Sequence, residues 1–122
     1  MITGFIEDEE TIQSVSNACN NVIKIYRNTA WAAALQIDDN GDLYILGDTE
    51  KLIFTLKSNS TTIIRKVLTN DNYDEEENGY ILLLNSAETD ISAGTYYYNI
   101  KLQRSDGEYE PIILTNEFII ME

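Results

Sequence analysis

The chain has 122 residues, a formal net charge of −13 and a hydrophobic fraction of 43%. This length suits one domain with a workable core, and this hydrophobic fraction is typical of a globular protein rather than a disordered one. The acidic surface excludes ordinary binding to nucleic-acid phosphates and to anionic membranes. The single cysteine, Cys19, excludes an intramolecular disulfide.

The N-terminal sequence lacks both the basic start and the apolar run of a secretory leader. No other stretch approaches the roughly 18 apolar residues that are needed to span a membrane. We therefore expect synthesis in the cytoplasm and no membrane partner.

Residues 1–21 differ in character from the rest of the chain. Ile12, Val15, Cys19 and Val22 are three or four residues apart, which fits one face of a short helix. The serine and asparagine residues between them favour caps and turns instead. We predict a separate N-terminal arm or short helix over 1–21, followed by a β-sandwich domain over 22–122.

From residue 22 onward, extended apolar segments alternate with turn residues. The predicted strands before the C-terminal hairpin cover 22–26, 31–37, 43–46, 51–57, 61–68 and 80–84. Alternate residues are apolar in 31–37 and in 51–57, which predicts one buried face for each strand. Seven to eight strands, with turns about every 8–12 residues and no long helix, indicate a two-sheet sandwich. The predicted fold is all-β, an immunoglobulin-like antiparallel β-sandwich.

The segment 94–120 predicts one long β-hairpin. Tyr96 and Tyr98 lie on the side that we expect to be buried, and Asp106-Gly107 predicts a two-residue turn. After the turn, Ile112, Leu114, Phe118 and Ile120 share the apolar face of the second strand. Pro111 lacks an N–H group, so we expect a bulge or an unpaired edge where this strand begins.

The composition argues against an enzyme. The chain contains no histidine, which is the commonest general base and metal ligand. Cys19 has no basic neighbour that would activate it, and no glycine-rich phosphate loop is present. The segment 38–42 (DDNGD) fails the spacing of a helix-loop-helix calcium site and predicts a hairpin turn. We predict no catalytic residue, no metal site and no cofactor.

Two groups of residues are candidates for contacts with a partner. Asp74, Glu75, Glu76 and Glu77 belong to the densest acidic cluster, which predicts a mobile, exposed loop. Such a loop is either simply solvated or docks against a basic partner. Tyr97 lies on the outer face of the predicted hairpin, where it is either an ordinary surface residue or a contact residue.

Several motifs follow one another in a characteristic order. The segment 35–41 (LQIDDNG) ends a strand in a D-x-x-G turn, and Gly47-Asp48-Thr49 precedes the strand KLIFTLK. The segment 94–102 (GTYYYNIKL) then leads into the D-G turn of the hairpin. In this order the motifs resemble those of small β-sandwich domains of tailed phages and prophages, similar to the N-terminal domain of baseplate upper proteins. The resemblance covers about residues 22–120 and departs from the family at Arg27-Asn28, where a glycine–aspartate pair is common.

The resemblance implies a structural and assembly role in the virion, in a tail or baseplate, without catalytic residues. The implied partners are other virion proteins, with self-association as a further option, and the protein would pass from the cytoplasm to the virion. An exposed strand edge, or the arm over 1–21, would supply the contacts, because sheet edges are templates for strand addition.

Two hypotheses from other classes remain open. An acidic DNA mimic, which inhibits a nucleic-acid-binding protein, requires carboxylates spaced along one face. A carbohydrate- or surface-binding module requires an exposed aromatic patch that joins Tyr97 to Tyr44, Tyr73 or Tyr109. Scattered acidic residues would count against the first hypothesis, and separated tyrosines would count against the second.

Overall fold

The computed structural model describes residues 2–7 and 22–122 of the chain. These residues form ten β-strands and one short 3₁₀ helix. The strands are β1 (Ile2–Glu7), β2 (Ile23–Tyr26), β3 (Trp31–Asp39), β4 (Asp42–Leu43), β5 (Lys51–Ser58), β6 (Thr61–Leu68), β7 (Tyr73–Asp74), β8 (Gly79–Leu84), β9 (Gly94–Gln103) and β10 (Tyr109–Met121). The 3₁₀ helix covers Asn70–Asn72, between β6 and β7.

The strands form two sheets that pack face to face. The first sheet has the order β1-β3-β8-β7, with β4 also paired to β3, and the second has the order β2-β10-β9-β5-β6. Neighbouring strands are antiparallel except β2 and β10, which are parallel. β3 and β8 adjoin in one sheet and β5, β9 and β10 adjoin in the other, as the B, E and C, F, G strands of immunoglobulin domains do. The predicted fold class is therefore confirmed.

Aromatic side chains occupy the centre of the core between the sheets. The Phe118 ring lies 5.6 Å from the Trp31 ring of the facing sheet and 6.2 Å from the Tyr98 ring of its own sheet, centroid to centroid. Both contacts are edge-to-face, a geometry that adds to the hydrophobic effect of burial. The alternation predicted for 31–37 and 51–57 is confirmed, because its apolar face is buried. The buried residues of that face are Trp31, Ala33, Leu35, Ile37, Leu52, Phe54 and Leu56.

A two-residue turn joins β3 to β4. Asn40 and Gly41 have positive φ angles of 53° and 92°, as a type I′ hairpin turn requires. The hairpin turn predicted in 38–42 is confirmed, but the strand predicted over 43–46 contributes only Leu43 to β4. The chain then leaves the sheet because Leu46 is buried against the core, where its N–H donates to the Tyr80 hydroxyl at 2.7 Å.

The turn between β9 and β10 differs from the predicted one. Ser105, Asp106 and Gly107 form a three-residue loop, which the hydrogen bond from the Arg104 N–H to the Glu108 carbonyl closes at 2.8 Å. Of the three, Gly107 has a positive φ, 90°. A three-residue loop that ends in a left-handed glycine replaces the two-residue turn, since this geometry also matches the twist of the strands.

The register of β10 shifts twice, between Pro111 and Ile113 and between Ile113 and Asn116. Each shift interrupts the alternation of inward and outward side chains. As a result Ile112 and Ile113 are both buried, whereas Leu114 is 74% exposed. The bulge expected near Pro111 is confirmed, and the prediction that Leu114 faces the core is wrong.

The N-terminal residues 2–7 belong to the sandwich. They form β1, which pairs antiparallel with β3 from Ile2 opposite Asp39 to Glu7 opposite Ala34. Ile2 is buried, and Gly4 lies so close to Ile112 that an added Cβ would come within 2.5 Å of its side chain. The prediction that the whole of 1–21 is separate from the sandwich is therefore wrong for 2–7, because these residues complete the core beside β10. The rest of the predicted N-terminal arm or short helix, residues 1 and 8–21, lies outside the described residues.

The chain crosses from the first sheet to the second between β8 and β9. The Tyr96 hydroxyl donates to the Ser92 carbonyl at 2.6 Å, four residues earlier. This is the tyrosine corner of immunoglobulin-like sandwiches, at the same crossing between sheets. The buried Thr89 hydroxyl donates to the Thr29 carbonyl at 2.7 Å and accepts from the Thr29 N–H at 2.9 Å, which holds the crossing to the β2–β3 turn.

Candidate partner-binding surface

Tyr97 lies on the outer face of the second sheet. In the ladder it stands between Lys57 of β5 and Glu117 of β10. Its side chain is 44% exposed, whereas Tyr98 is 1% exposed. The predicted orientation of the two tyrosines is confirmed, and the role of Tyr97 as a contact residue stays a prediction.

The acidic cluster lies at the far edge of the first sheet. Asp74 is in β7, and its Oδ1 atom accepts from the N–H groups of Glu76 and Glu77, at 2.9 and 3.4 Å. The Gln36 side chain donates to the Glu77 carbonyl at 2.8 Å. The segment with Glu75 is therefore an exposed but hydrogen-bonded turn rather than an irregular loop. Because this turn belongs to the first sheet and Tyr97 to the second, the structure does not bring the two predicted groups together.

Positive and negative charges are segregated between the two sheets. The strands of the first sheet carry acidic residues and no lysine or arginine. The strands of the second sheet carry six of the eight basic residues of the chain and two of its 21 acidic residues. The basic residues are Lys24, Lys51, Lys57, Arg65, Lys66 and Lys101. The strands of the second sheet therefore carry a net positive charge, although the chain as a whole is acidic.

Five of these six basic side chains point away from the core. They alternate with the buried residues of their strands, and we call the surface that they form with Tyr97 the basic face. Its members are Lys24, Lys51, Lys57, Arg65, Lys101 and Tyr97. Lys66 is the exception, since it lies opposite the inward-facing Phe54.

Apolar side chains lie between the charges of the basic face. Ile53 stands between Lys101 of β9 and Val67 of β6, and although it points outward it is only 5% exposed. The Lys101 ammonium lies 6.0 Å from the centre of the Tyr109 ring, within cation–π range. Basic, aliphatic and aromatic groups thus share one sheet surface.

The tyrosines proposed for a carbohydrate-binding patch are separated. Tyr109 lies opposite Gln103, six residues along β9 from Tyr97, which is about 20 Å at the rise of a strand. Tyr73 packs edge-on against Tyr80 at 5.1 Å. Tyr44 hydrogen-bonds to Glu50 and is partly buried.

A buried carboxylate organises the polar end of the sandwich. Glu50 is 9% exposed, and its carboxylate accepts from the Tyr44 hydroxyl at 2.8 Å and from the Gly47 N–H at 2.8 Å. Arg104 approaches it at 3.8 Å and also donates to Glu110 at 3.0 Å. These bonds tie the segment before β5 to the β9–β10 hairpin. Sequence reasoning missed this cluster because Arg104 and Glu110 are far from Glu50 along the chain.

The Tyr44 hydroxyl makes stability sensitive to alkaline pH. Burial, together with the hydrogen bond to the Glu50 carboxylate, raises the pKa of Tyr44 from 10.0 to about 12. The hydroxyl of Tyr44 therefore loses its proton at a lower pH in the unfolded chain than in the folded protein. The stability that the protonated hydroxyl contributes is complete below pH 10 and is lost as the pH rises to about 12. In urea titrations across this range, we expect Tyr44→Phe to lose less stability per pH unit than the unsubstituted protein.

The exposed Tyr97→Phe is the matched control for this measurement, and it should follow the unsubstituted curve. Equal slopes for Tyr44→Phe and the unsubstituted protein would contradict the proposed cause.

Residues 2–7 and 22–122 contain no group of three or more histidine, cysteine or acidic residues that is arranged to hold a metal ion. In the same part of the chain, no helix is long and apolar enough to cross a membrane.

No model of a known protein family matches the chain, and no curated protein matches it. Among solved structures, the fibronectin(III)-like modules of Clostridium thermocellum CbhA are similar, with a TM-score of 0.48 and 12% identity over 99% of this chain and 96% of that chain. The extracellular domain of a putative one component system from B. thetaiotaomicron is also similar, with a TM-score of 0.50 and 14% identity over 98% of this chain. The chain spans 15% of the length of that protein. At this level of identity, the likeness concerns the fold alone.

Part of the basic face could have been predicted from the sequence. The segments that form β5 and β6, KLIFTLKS and TTIIRKVL, contain lysine and arginine but no acidic residue. In a chain with 21 acidic residues, two successive strands without one indicate a distinct surface. The pairing of β5 with β9 then adds Lys101, which lies opposite Ile53.

Proposed function

We propose that this protein is a structural module of a tailed phage or prophage particle, which attaches to other proteins of the particle through the basic face. The observation that carries the proposal is the segregation of charge. Lys57, Arg65 and Lys101 gather on one sheet of a protein whose net charge is −13. The order of strand and turn motifs, which resembles small phage β-sandwiches, supplies the virion setting.

A binding role agrees with the way two carboxylates are used, those of the buried Glu50 and the partly buried Glu88. Glu50 holds Tyr44 and Arg104 in place, and Glu88 pairs with Lys66 at 2.6 Å. General acid and base catalysis requires carboxylates that face a substrate with separated pKa values. Because these carboxylates hold neighbouring segments together instead, the proposal assigns no catalytic residue.

Electrostatics favour an acidic partner. The acidic remainder of the molecule repels other acidic proteins at long range, but a salt concentration of about 0.15 M limits that repulsion to roughly 8 Å. Within this distance the lysines and arginine of the basic face, together with Tyr97, meet an acidic surface with complementary charge. The charges also set the orientation of this protein on its partner, because the acidic first sheet repels the same acidic surface.

The other two hypotheses draw less support from the described residues. Acidic residues also lie in the loops of the second sheet, such as Asp106 and Glu108 between β9 and β10, so they are not confined to one face as a DNA mimic needs. The second sheet has three exposed tyrosines, Tyr26, Tyr97 and Tyr109. The two that the carbohydrate hypothesis pairs, Tyr97 and Tyr109, lie too far apart to hold one sugar ring between them. Neither hypothesis has an observation in its favour that equals the segregation of charge.

The direct test is genetic complementation in the native genome. The gene is deleted, particles are purified, and their proteins are identified by mass spectrometry and their shape by electron microscopy. We expect complete particles with the unsubstituted gene and incomplete particles with Lys57→Glu/Lys101→Glu. The control is Glu75→Lys/Glu76→Lys, a matched double charge reversal in the acidic turn. A gene with only these two substitutions should give complete particles, as the unsubstituted gene does. Purified particles that lack this protein would refute the virion role.

A further inference from the structure

Four strands end the two sheets in the described part of the chain, and they differ in length. β1 and β7 end the first sheet, whereas β2 and β6 end the second. β7 has two residues, β2 has four, β1 has six and β6 has eight. The last of these, Thr61–Leu68, is therefore the longest of the four terminal strands.

β6 has few of the usual obstacles to strand addition. It contains no proline and no glycine, and its pairing with β5 is regular from Leu52↔Leu68 to Leu56↔Ile64. Natural edge strands are commonly short, bulged or interrupted by proline, because an open edge is a template for pairing with another chain. The one register shift in β6 lies before Ile64, at Ile63, and the five successive pairs from Ile64 to Leu68 stay in register.

The side chains of β6 form a specific pattern. Ile63 and Val67 are 39% and 40% exposed, and the exposed Arg65 lies between them. The strand carries no acidic residue. An added strand would therefore contact two aliphatic side chains, Ile63 and Val67, with the positive charge of Arg65 between them.

The ion pair of Lys66 with Glu88 removes a further obstacle to strand addition. An inward-pointing charge on an edge strand normally opposes pairing, because the added strand would bury it alone. Here the Lys66 ammonium forms an ion pair with Glu88 Oε2 at 2.6 Å. The pKa of the Glu88 carboxyl is lowered, since burial raises it but the hydrogen bonds from Lys66 and the Asn85 N–H outweigh burial. An added strand would cover a paired charge rather than a single one.

We propose that β6 accepts an extended acidic segment of a partner protein as a sixth strand of the second sheet. The proposal rests on the proposed protein-binding function and names the chemistry of the partner. Backbone hydrogen bonds to β6 supply affinity, and acidic side chains opposite Arg65 supply selectivity. A second copy fits this edge less well, because pairing β6 with β6 would bring two positively charged strands together.

The test compares two synthetic peptides of about nine residues, enough to cover β6. One alternates valine with glutamate, the other alternates valine with lysine, and both have blocked ends. We expect the unsubstituted protein to bind the glutamate peptide more tightly, and the peptide to slow hydrogen exchange at β6 amides. Arg65→Glu should weaken binding of the glutamate peptide by about tenfold or more, equivalent to at least about 1.4 kcal/mol, and should reverse the preference.

Arg27→Glu is the matched control, since it makes the same arginine-to-glutamate change in the exposed turn after β2, outside the basic face. It should leave peptide binding unchanged. Fluorescence of Trp31, the single tryptophan, verifies that both variants are folded.

Three results would overturn the inference. They are equal binding of the two peptides, equal losses in Arg65→Glu and Arg27→Glu, and a dimer of the unsubstituted protein that occupies β6 in hydrogen-exchange measurements. If the protein is present in purified particles but fails these peptide tests, the edge inference falls and the proposed virion role stands.

Discussion

Phe118→Ala is expected to lower the free energy of unfolding by about 3–5 kcal/mol, the range found when a buried aromatic ring is removed and a cavity remains. Phe118 is fully buried, and its ring contacts Trp31, Phe54 and Tyr98 across both sheets. The loss should be measured by urea unfolding followed through the fluorescence of Trp31. If the alanine variant does not fold, Phe118→Leu should fold with a smaller loss.

Leu114→Ala is the control in the same strand. This side chain is 74% exposed, so its removal should change stability by no more than about 0.5 kcal/mol. A large loss at Leu114 would contradict the register shifts in β10, because uninterrupted alternation would place this residue in the core.

Glu50→Ala is expected to cost about 3 kcal/mol, because it leaves the Tyr44 hydroxyl, the Gly47 N–H and Arg104 without their shared acceptor. The carboxylate is 9% exposed, so water replaces it poorly. Chemical unfolding at neutral pH measures the loss. Glu50→Gln keeps the shape and one acceptor oxygen, and it should lose less than the alanine variant.

Glu75→Ala serves as the comparison for the loss of a carboxylate. Glu75 lies in the exposed acidic turn, so its removal should be close to neutral. If Glu50→Ala were as mild as Glu75→Ala, the cluster around Glu50 would be a surface feature without a role in holding the hairpin to the β5 segment.

Local alternation in the sequence predicted much of the core. Trp31 and Phe54 were placed inward from the period of two, and Tyr97 was placed outward for the same reason. This works because successive side chains of a strand point to opposite faces, whatever the strand pairs with. It failed at Leu114, because a bulge changes the alternation and the residues alone did not mark where a second shift would follow Pro111.

The role of residues 2–7 was missed for a different reason. A short strand has little local signal, and β1 gains its place from Gly4, which fits between Ile37 and Ile112. These two residues are far from Gly4 along the chain. Close packing of this kind depends on the arrangement of both sheets, so a local pattern does not reveal it.

For the partner-binding surface too, the sequence indicated one part and the tertiary structure decided the rest. Charge-poor and charge-rich segments are visible in the sequence, and β5 and β6 stand out because they contain lysine and arginine without acidic residues. Only the pairing of β5 with β9 places Lys101 on the same surface as Lys57. The candidates Tyr97 and Glu75–Glu77 are exposed as predicted, whereas Asp74 is partly buried, and the two groups belong to different sheets.

The sequence by itself determined the class of fold, the positions of the turns, the orientation of most core residues and the acidic net charge. These follow from interactions between residues that are close along the chain, and from simple totals. Only the tertiary structure decided that β1 joins the core, that Leu114 is exposed, that five basic side chains share one face and that β6 ends its sheet. Each of these depends on which strands lie side by side, and strand pairing is set by the packing of distant segments.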